Sequence, residues 1–255
     1  MDVLLTNDDG IEETGLRALY EALSSVADVT AIAPAEDQSA VGRSMSSRVA
    51  VDEHALGYAI HGTPADCVVA GIEVLATDVD LVVSGCNRGA NLGQYVLGRS
   101  GTISAAVEAA FFGVPAVAVS MYIPTGEVDY TTFDPGFEEY AEAMRVARHI
   151  AENALEEGVF EEADYLNVNV PVADDEPCEM EITTPSTVYD MGADRSEGHI
   201  TLVDRIWRRM AEGEVIDPEG TDRRAIMERR VSVSPLTASH TPYRHDALDR
   251  LAAGY

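Results

Sequence analysis

The sequence predicts an α/β protein with a mostly parallel sheet and helices on both of its faces. Three observations predict it. Short apolar runs, about 2–6, 29–33, 80–84, 116–121 and 165–170, end abruptly at polar residues or proline, as strands buried on both sides do. Between several of them, apolar residues recur at helical spacing. The resulting order, β-α-β…α-β-α-β, is the signature of crossover connections and hence of a three-layer arrangement.

Residues 2–6 form the first strand, cut short by Asn7, Asp8 and Asp9. Leu16, Leu19, Tyr20 and Leu23 then fall at i, i+3, i+4 and i+7, an amphipathic helix. A second strand stops at Pro34, and short extended pieces lead to Thr63 and Pro64. Thr63 is a natural N-cap and Pro64 a natural first helical residue, which opens a helix over about 65–75. The strand at 80–84 is expected to break into a glycine-rich loop over 85–99, followed by a small-residue helix at about 102–112 and a buried strand at 116–121. Helical spacing resumes at about 137–155, and the strand at 165–170 is closed by Pro171. From there to about Met210 the chain reads as extended, then as a polar loop, a short helix near Ala225 and a strand at 230–234. With no flexible linker or low-complexity tract, residues 1–255 are read as one domain. Residues from about 172 to 255 form a β-rich C-terminal appendage to it, a candidate oligomerisation arm.

Composition narrows the chemistry. With 45 acidic residues against 17 basic ones, the net charge is −28. Such a surface repels nucleic-acid phosphates and anionic membranes, so a polyanion groove is not expected. Hydrophobic residues at 46% argue against disorder, and an acidic solvated surface suited to high salt accounts for the charge. All 17 cations are arginine. The absence of lysine excludes a Walker-type phosphate loop, a protein-kinase strand lysine and a pyridoxal Schiff base. Any bound phosphate must be met by metal, arginine, backbone N–H groups or hydroxyls. Cys67, Cys86 and Cys178 are widely spaced and read as small buried residues of a reducing compartment. No run of about 20 apolar residues suggests a membrane span, and the first residues lack signal-peptide character, so a cytoplasmic location is expected.

Three segments carry candidate chemistry. Asp8 and Asp9 follow the first strand directly, where open α/β sheets bind ligands. Two adjacent carboxylates there call for a compensating charge, and their hard oxygens suit Mg²⁺ or Mn²⁺. The plainer alternative is a polar turn in which Asp9 caps the next helix. The second segment, Ser84 to Gly93, spaces its glycines four apart, which is not the dinucleotide fingerprint, and offers Asn87 and Asn91 as neutral ligands. In the third, Ser100, Gly101 and Thr102 open a helix whose free N–H groups form a phosphate cradle, or else simply cap it.

These residues also carry a resemblance. Leu4 to Ile11, Gly62 to Val68, Ser84 to Gly93, Ser100-Gly101-Thr102, Leu166 to Pro171 and Val231 to Leu236 lie in the order found in the stationary-phase survival protein SurE family. The resemblance implies a Rossmann-like fold with a C-terminal extension used in dimer formation, and a homodimer or homotetramer. It implies a metal-dependent 5′-nucleotidase, a phosphoric monoester hydrolase acting on nucleoside 5′- and often 3′-monophosphates and on short polyphosphate. One divalent ion per subunit, Mg²⁺, Mn²⁺ or Co²⁺, would be held by Asp8, Asp9, Ser39 and Asn87. The substrate phosphate would meet Asn91, Ser100, Gly101 and Thr102, with Asp8 or Asp9 as acid or base. Two departures stand out. Ser39-Ala40 replaces the family's Ser-Gly, and between Gly93 and Ser100 the usual acidic residue and tyrosine are replaced by Gln94-Tyr95-Val96-Leu97-Gly98-Arg99, one residue longer than the common pattern. Arg99 is either a further phosphate contact or a surface residue. A nucleotide-sugar-dependent transferase and a non-catalytic nucleotide-binding regulator are the alternative functions.

Overall fold

The computed structural model describes residues 1–255 except 77, 125–132, 173–175 and 215. Residues 173–175 of the expected extended stretch and residue 215 of the expected polar loop therefore lie outside the described residues. Eleven strands and eight α-helices are formed among the described residues. In chain order the N-terminal part runs β1 (Asp2–Thr6), α1 (Thr14–Ser24), β2 (Asp28–Pro34), β3 (Val51–His54), β4 (Gly57–Ile60), α2 (Pro64–Ala70), β5 (Leu81–Arg88), α3 (Gln94–Leu97) and α4 (Gly101–Phe111). It continues with β6 (Ala116–Tyr122), α5 (Ala141–Asn153), β7 (Tyr165–Pro171), β8 (Met180–Ile182), β9 (Met191–Ser196), β10 (His199–Asp204), α6 (Arg205–Ala211), α7 (Asp222–Met227), β11 (Val231–Leu236) and α8 (Asp246–Ala253).

Nine strands make one sheet in the order β3-β4-β2-β1-β5-β6-β7-β11-β8. The six from β4 to β7 are mutually parallel, β3 pairs antiparallel with β4, and β11 pairs antiparallel with β7 while carrying β8 beside it in parallel. The strand order reverses between β1 and β5, the switch point at which such sheets open a crevice. Alternation along β1 shows why both faces must be covered. Val3 and Leu5 enter a core roofed by α1 and α5, whereas Leu4 enters a second core roofed by α2 and α4. The small residues Ala105, Ala106 and Ala109 let α4 lie close to β5 and β6 in that second core.

Helix α2 starts where the sequence placed it. Thr63 Oγ1 accepts the Asp66 N–H at 3.2 Å, and Asp66 Oδ2 accepts the Thr63 N–H at 2.8 Å, a complete capping box. It then passes into a π-helical turn over Gly71–Leu75, where the sequence predicts one continuous helix.

Two expectations are corrected. Strand β5 does not stop at Ser84 but continues to Arg88, because Asn87 and Arg88 pair with Ser120 and Met121 of β6 after a register shift. The stretch read as extended to Met210 ends in α6, capped by Asp204, whose Oδ1 accepts the Ile206 N–H at 3.1 Å. Residues beyond Pro171 contribute β8 and β11 to the main sheet, while the β9–β10 hairpin forms a separate two-stranded ribbon with Ile200 and Leu202 exposed. A third apolar cluster joins Leu92 and Tyr122 to Ile206, Met210 and Ile226, so the C-terminal helices close over the glycine-rich loop. Trp207 packs against this cluster. No described helix is long and apolar enough to cross a membrane.

Candidate metal and phosphate site

The turn after β1 is clamped by Asn7, whose Oδ1 accepts the Gly10 N–H at 3.2 Å while its Nδ2 donates to the Gly10 carbonyl at 2.8 Å. This fixes the carboxylates of the next two residues. Asp8 is buried and faces α4: Thr102 donates its hydroxyl to Asp8 Oδ1 at 2.6 Å. Gly101 is required at that approach. A Cβ there would lie 2.7 Å from Asp8 Cβ and 2.8 Å from its Oδ2. Asp9 turns the other way, and its Oδ2 accepts the Arg88 N–H at 3.1 Å from the end of β5. It does not cap α1, whose N-cap is Glu13, so the simple capping alternative fails.

Burial dominates the electrostatics. It raises the Asp8 carboxyl above its ordinary range against the opposing Thr102 hydrogen bonds. It pushes Asp9 up to about 7, with the Asp8 charge the next contribution. Asp37, from the loop after β2, adds further negative potential to both. Among the described residues no ion pair has Asp8 or Asp9 as its acid. A buried carboxylate beside a half-buried one, without a cation, is costly, and a divalent ion is the compensation their oxygens suit.

The remaining predicted ligands are grouped unevenly. Gln38 donates its N–H to the Asp8 carbonyl at 2.7 Å, which seats the loop bearing Ser39 beside the pair. Ser39 itself is exposed, and its hydroxyl donates to Asp37 Oδ1 at 2.6 Å. Asn87 spends its Nδ2 on the Gly89 carbonyl; among the described residues no hydrogen bond reaches its Oδ1. Two carboxylates, an amide oxygen and a hydroxyl fit a hard divalent ion. They do not form a cluster of three or more His, Cys, Asp or Glu, and none is found among the described residues. Ala40, where the family has glycine, sits at φ 59°, the left-handed conformation that glycine adopts most easily.

On the anion side, Ser100 is the N-cap of α4 and its Oγ accepts the Ile103 N–H at 3.1 Å. Thr102 is committed to Asp8, so the helix N-terminus addresses the carboxylate as well as any anion beside it. Asn91 is buried in an amide network. Its N–H donates to Asn169 Oδ1 at 2.8 Å, its carbonyl accepts from Asn167 and Asn169, and its Nδ2 donates to Ser120 Oγ at 2.9 Å. Asp222 clips the next turn: one oxygen accepts the Gly93 N–H at 2.7 Å and the other the Ser186 N–H at 2.9 Å. Arg99 is exposed, lies 4.0 Å over the Tyr95 ring and donates to the Tyr95 hydroxyl at 2.6 Å. Motif reading missed Asp37, Ser120 and Asp222; only Asn167 and Asn169 had a signal, as alternate polar residues inside a buried strand.

The fold and the site define a doubly wound α/β protein with an acidic pair at the switch point of the sheet, of which the buried Asp8 meets a helix N-terminus. The family model of the survival protein SurE matches residues 3–190. A protein named 5′-nucleotidase SurE from Haloarcula marismortui is 60% identical over 99% of this chain and 94% of its own length. Another of that name from Natronomonas pharaonis is 60% identical, with full coverage of both chains. Among solved structures, the SurE protein from Aquifex aeolicus superposes with a TM-score of 0.80 at 29% identity, covering 99% of this chain and 100% of its own. The chain belongs to the SurE family.

Proposed function

We propose that this chain is a divalent-metal-dependent phosphomonoesterase that converts a nucleoside 5′-monophosphate and water into a nucleoside and inorganic phosphate. 3′-Monophosphates and short polyphosphate are further substrates in this reading. The observation that carries it is the Asp8–Asp9 pair, unpartnered by any described ion pair, with buried Asp8 pressed against the N-terminus of α4 and half-buried Asp9 beside it on the end of β5. The names borne by relatives at 60% identity support the same reaction.

Asp8, Asp9, Ser39 and Asn87 would hold one ion per subunit, Mg²⁺, Mn²⁺ or Co²⁺. When bound, that ion supplies a lowered pKa for water and polarises a phosphoryl oxygen. Ser100, Gly101 and Thr102, with Asn91, orient the phosphate and offset charge that develops on its oxygens. Thr102 fixes Asp8 Oδ1, and the Arg88 N–H fixes Asp9 Oδ2, which orients both carboxylates for the ion. The exposed β9–β10 hairpin is proposed as the arm that joins copies into a dimer or tetramer.

Phosphate release from AMP at high salt tests the reading. Activity with Mn²⁺, Mg²⁺ or Co²⁺ that disappears in EDTA is expected. Release of phosphate at an unchanged rate in EDTA would remove the role assigned to the acidic pair.

A further inference from the structure

Beside the phosphate cradle stands an aromatic stack that the hydrolytic reading leaves unused. The Tyr95 and Tyr189 rings lie 5.2 Å apart at 10°, and Arg99 covers Tyr95 at 4.0 Å. Tyr95 thus has a tyrosine and a guanidinium on its two faces. Tyr189 has Tyr95 on one face and is 64% exposed. Such an open ring is unremarkable when it sits on a loose loop, but these two segments are tethered. Gln94 donates its N–H to the Ser186 carbonyl at 2.8 Å. Asp222 holds Gly93 and Ser186 together, and Arg223 Nη2 donates to the Val188 carbonyl at 3.2 Å, next to Tyr189. The stack is therefore held in place before any ligand arrives. It also has a fixed relation to the cradle, because Arg99 directly precedes Ser100, the N-cap of α4.

We propose that the open face of Tyr189 stacks the nucleobase of a nucleoside monophosphate whose phosphate lies at Ser100–Thr102, making Tyr189 a specificity-determining residue, with Tyr95 and Arg99 as its support. The inference rests on the phosphomonoesterase reading and adds to it where the base goes. Every base presents a π face, so a stacking platform selects nucleotides over other monoesters while accepting any base. The cation of Arg99, one residue before Ser100 and 4.0 Å over Tyr95, favours an anionic nucleotide in a chain of net charge −28.

The test compares AMP with ribose 5-phosphate, which presents the same 5′-phosphoester without a base, in the wild type, Tyr189→Ala and Tyr189→Phe. The ratio of kcat/KM for AMP to that for ribose 5-phosphate is expected to fall about tenfold in Tyr189→Ala, mainly through KM for AMP. Tyr189→Phe, which keeps the ring, is expected to restore the ratio to within about twofold. An unchanged ratio in Tyr189→Ala, including one produced by equal loss on both esters or by a change in assembly size, overturns the platform. Calorimetric affinity for AMP needs no turnover and separates the two readings. A protein inert on both esters whose AMP affinity still falls in Tyr189→Ala loses the hydrolytic reading and keeps the platform.

Discussion

Replacing Asp9 by asparagine has opposite consequences with and without metal, and the structure sets their size. A carboxyl that titrates near 7 instead of at its ordinary 3.8 carries at most about 4 kcal/mol of unfavourable free energy when ionised in the fold. Because the folded value is raised, the folded state keeps this proton longer than the unfolded chain does. The associated stability is complete below pH 3.8, is lost as pH climbs through about 7, and stays lost above it. Asparagine carries no charge and can still accept the Arg88 N–H through its Oδ1. In EDTA at pH 8 and constant high salt, Asp9→Asn is therefore expected to melt above the wild type, by roughly 10 °C for a chain of this length. Near pH 4 the two should melt together. Mn²⁺ well above 1,000 times its Kd should reverse the order, since a ligand at 1,000 times its Kd already adds about 4.1 kcal/mol to the protein that binds it and nothing to one that does not. Thermal melts followed by circular dichroism read all four conditions. A variant that melts below the wild type in EDTA at pH 8, or equal Mn²⁺ stabilisation of both proteins, would refute the reasoning.

Three further outcomes are expected. Gly101→Ala places a methyl 2.7 Å from Asp8 Cβ and should cut phosphate release from AMP by about 100-fold by displacing Asp8 from α4, with a far-ultraviolet spectrum that stays native. Arg223→Met leaves the buried carboxylate of Asp217 without its partner at 2.6 Å and should cost about 3–5 kcal/mol in chemical denaturation, part of which Asp217→Asn in the same chain should return. Ala40→Gly relieves a left-handed alanine at φ 59° and should raise the denaturation free energy by about 1 kcal/mol, measured in EDTA so that metal affinity does not enter.

The central sheet was legible because its strands are buried on both faces, which writes them as short uninterrupted apolar runs such as Val3-Leu4-Leu5. Local pattern failed where tertiary pairing decided the conformation. Gly85 reads as a break, yet β6 supplies partners that carry β5 on to Arg88. Helix α6 had a signal that the extended reading overlooked: Ile206 and Met210, four apart, are both buried. The short helix α3 packs no buried residue, and nothing in its four residues announces it. Helix α8 does show apolar spacing at Leu248 and Leu251, but both are exposed, so the pattern lacked a core to answer to. In the site, Asp8, Gly101 and Thr102 could be placed from strand-end and helix-start logic, and the structure brings them into contact. Asp222 could not be, because its partners Gly93 and Ser186 are distant in sequence and are met through backbone N–H groups that any residue presents.

The most direct measurement of the central claim is anomalous diffraction from crystals grown with Mn²⁺ and inorganic phosphate. The account predicts one manganese peak per subunit, ligated by carboxylate oxygens of both Asp8 and Asp9, with the phosphate at the N-terminus of α4. A peak coordinated elsewhere, or phosphate bound at Ser100 and Gly101 with no metal on the acidic pair, would contradict it.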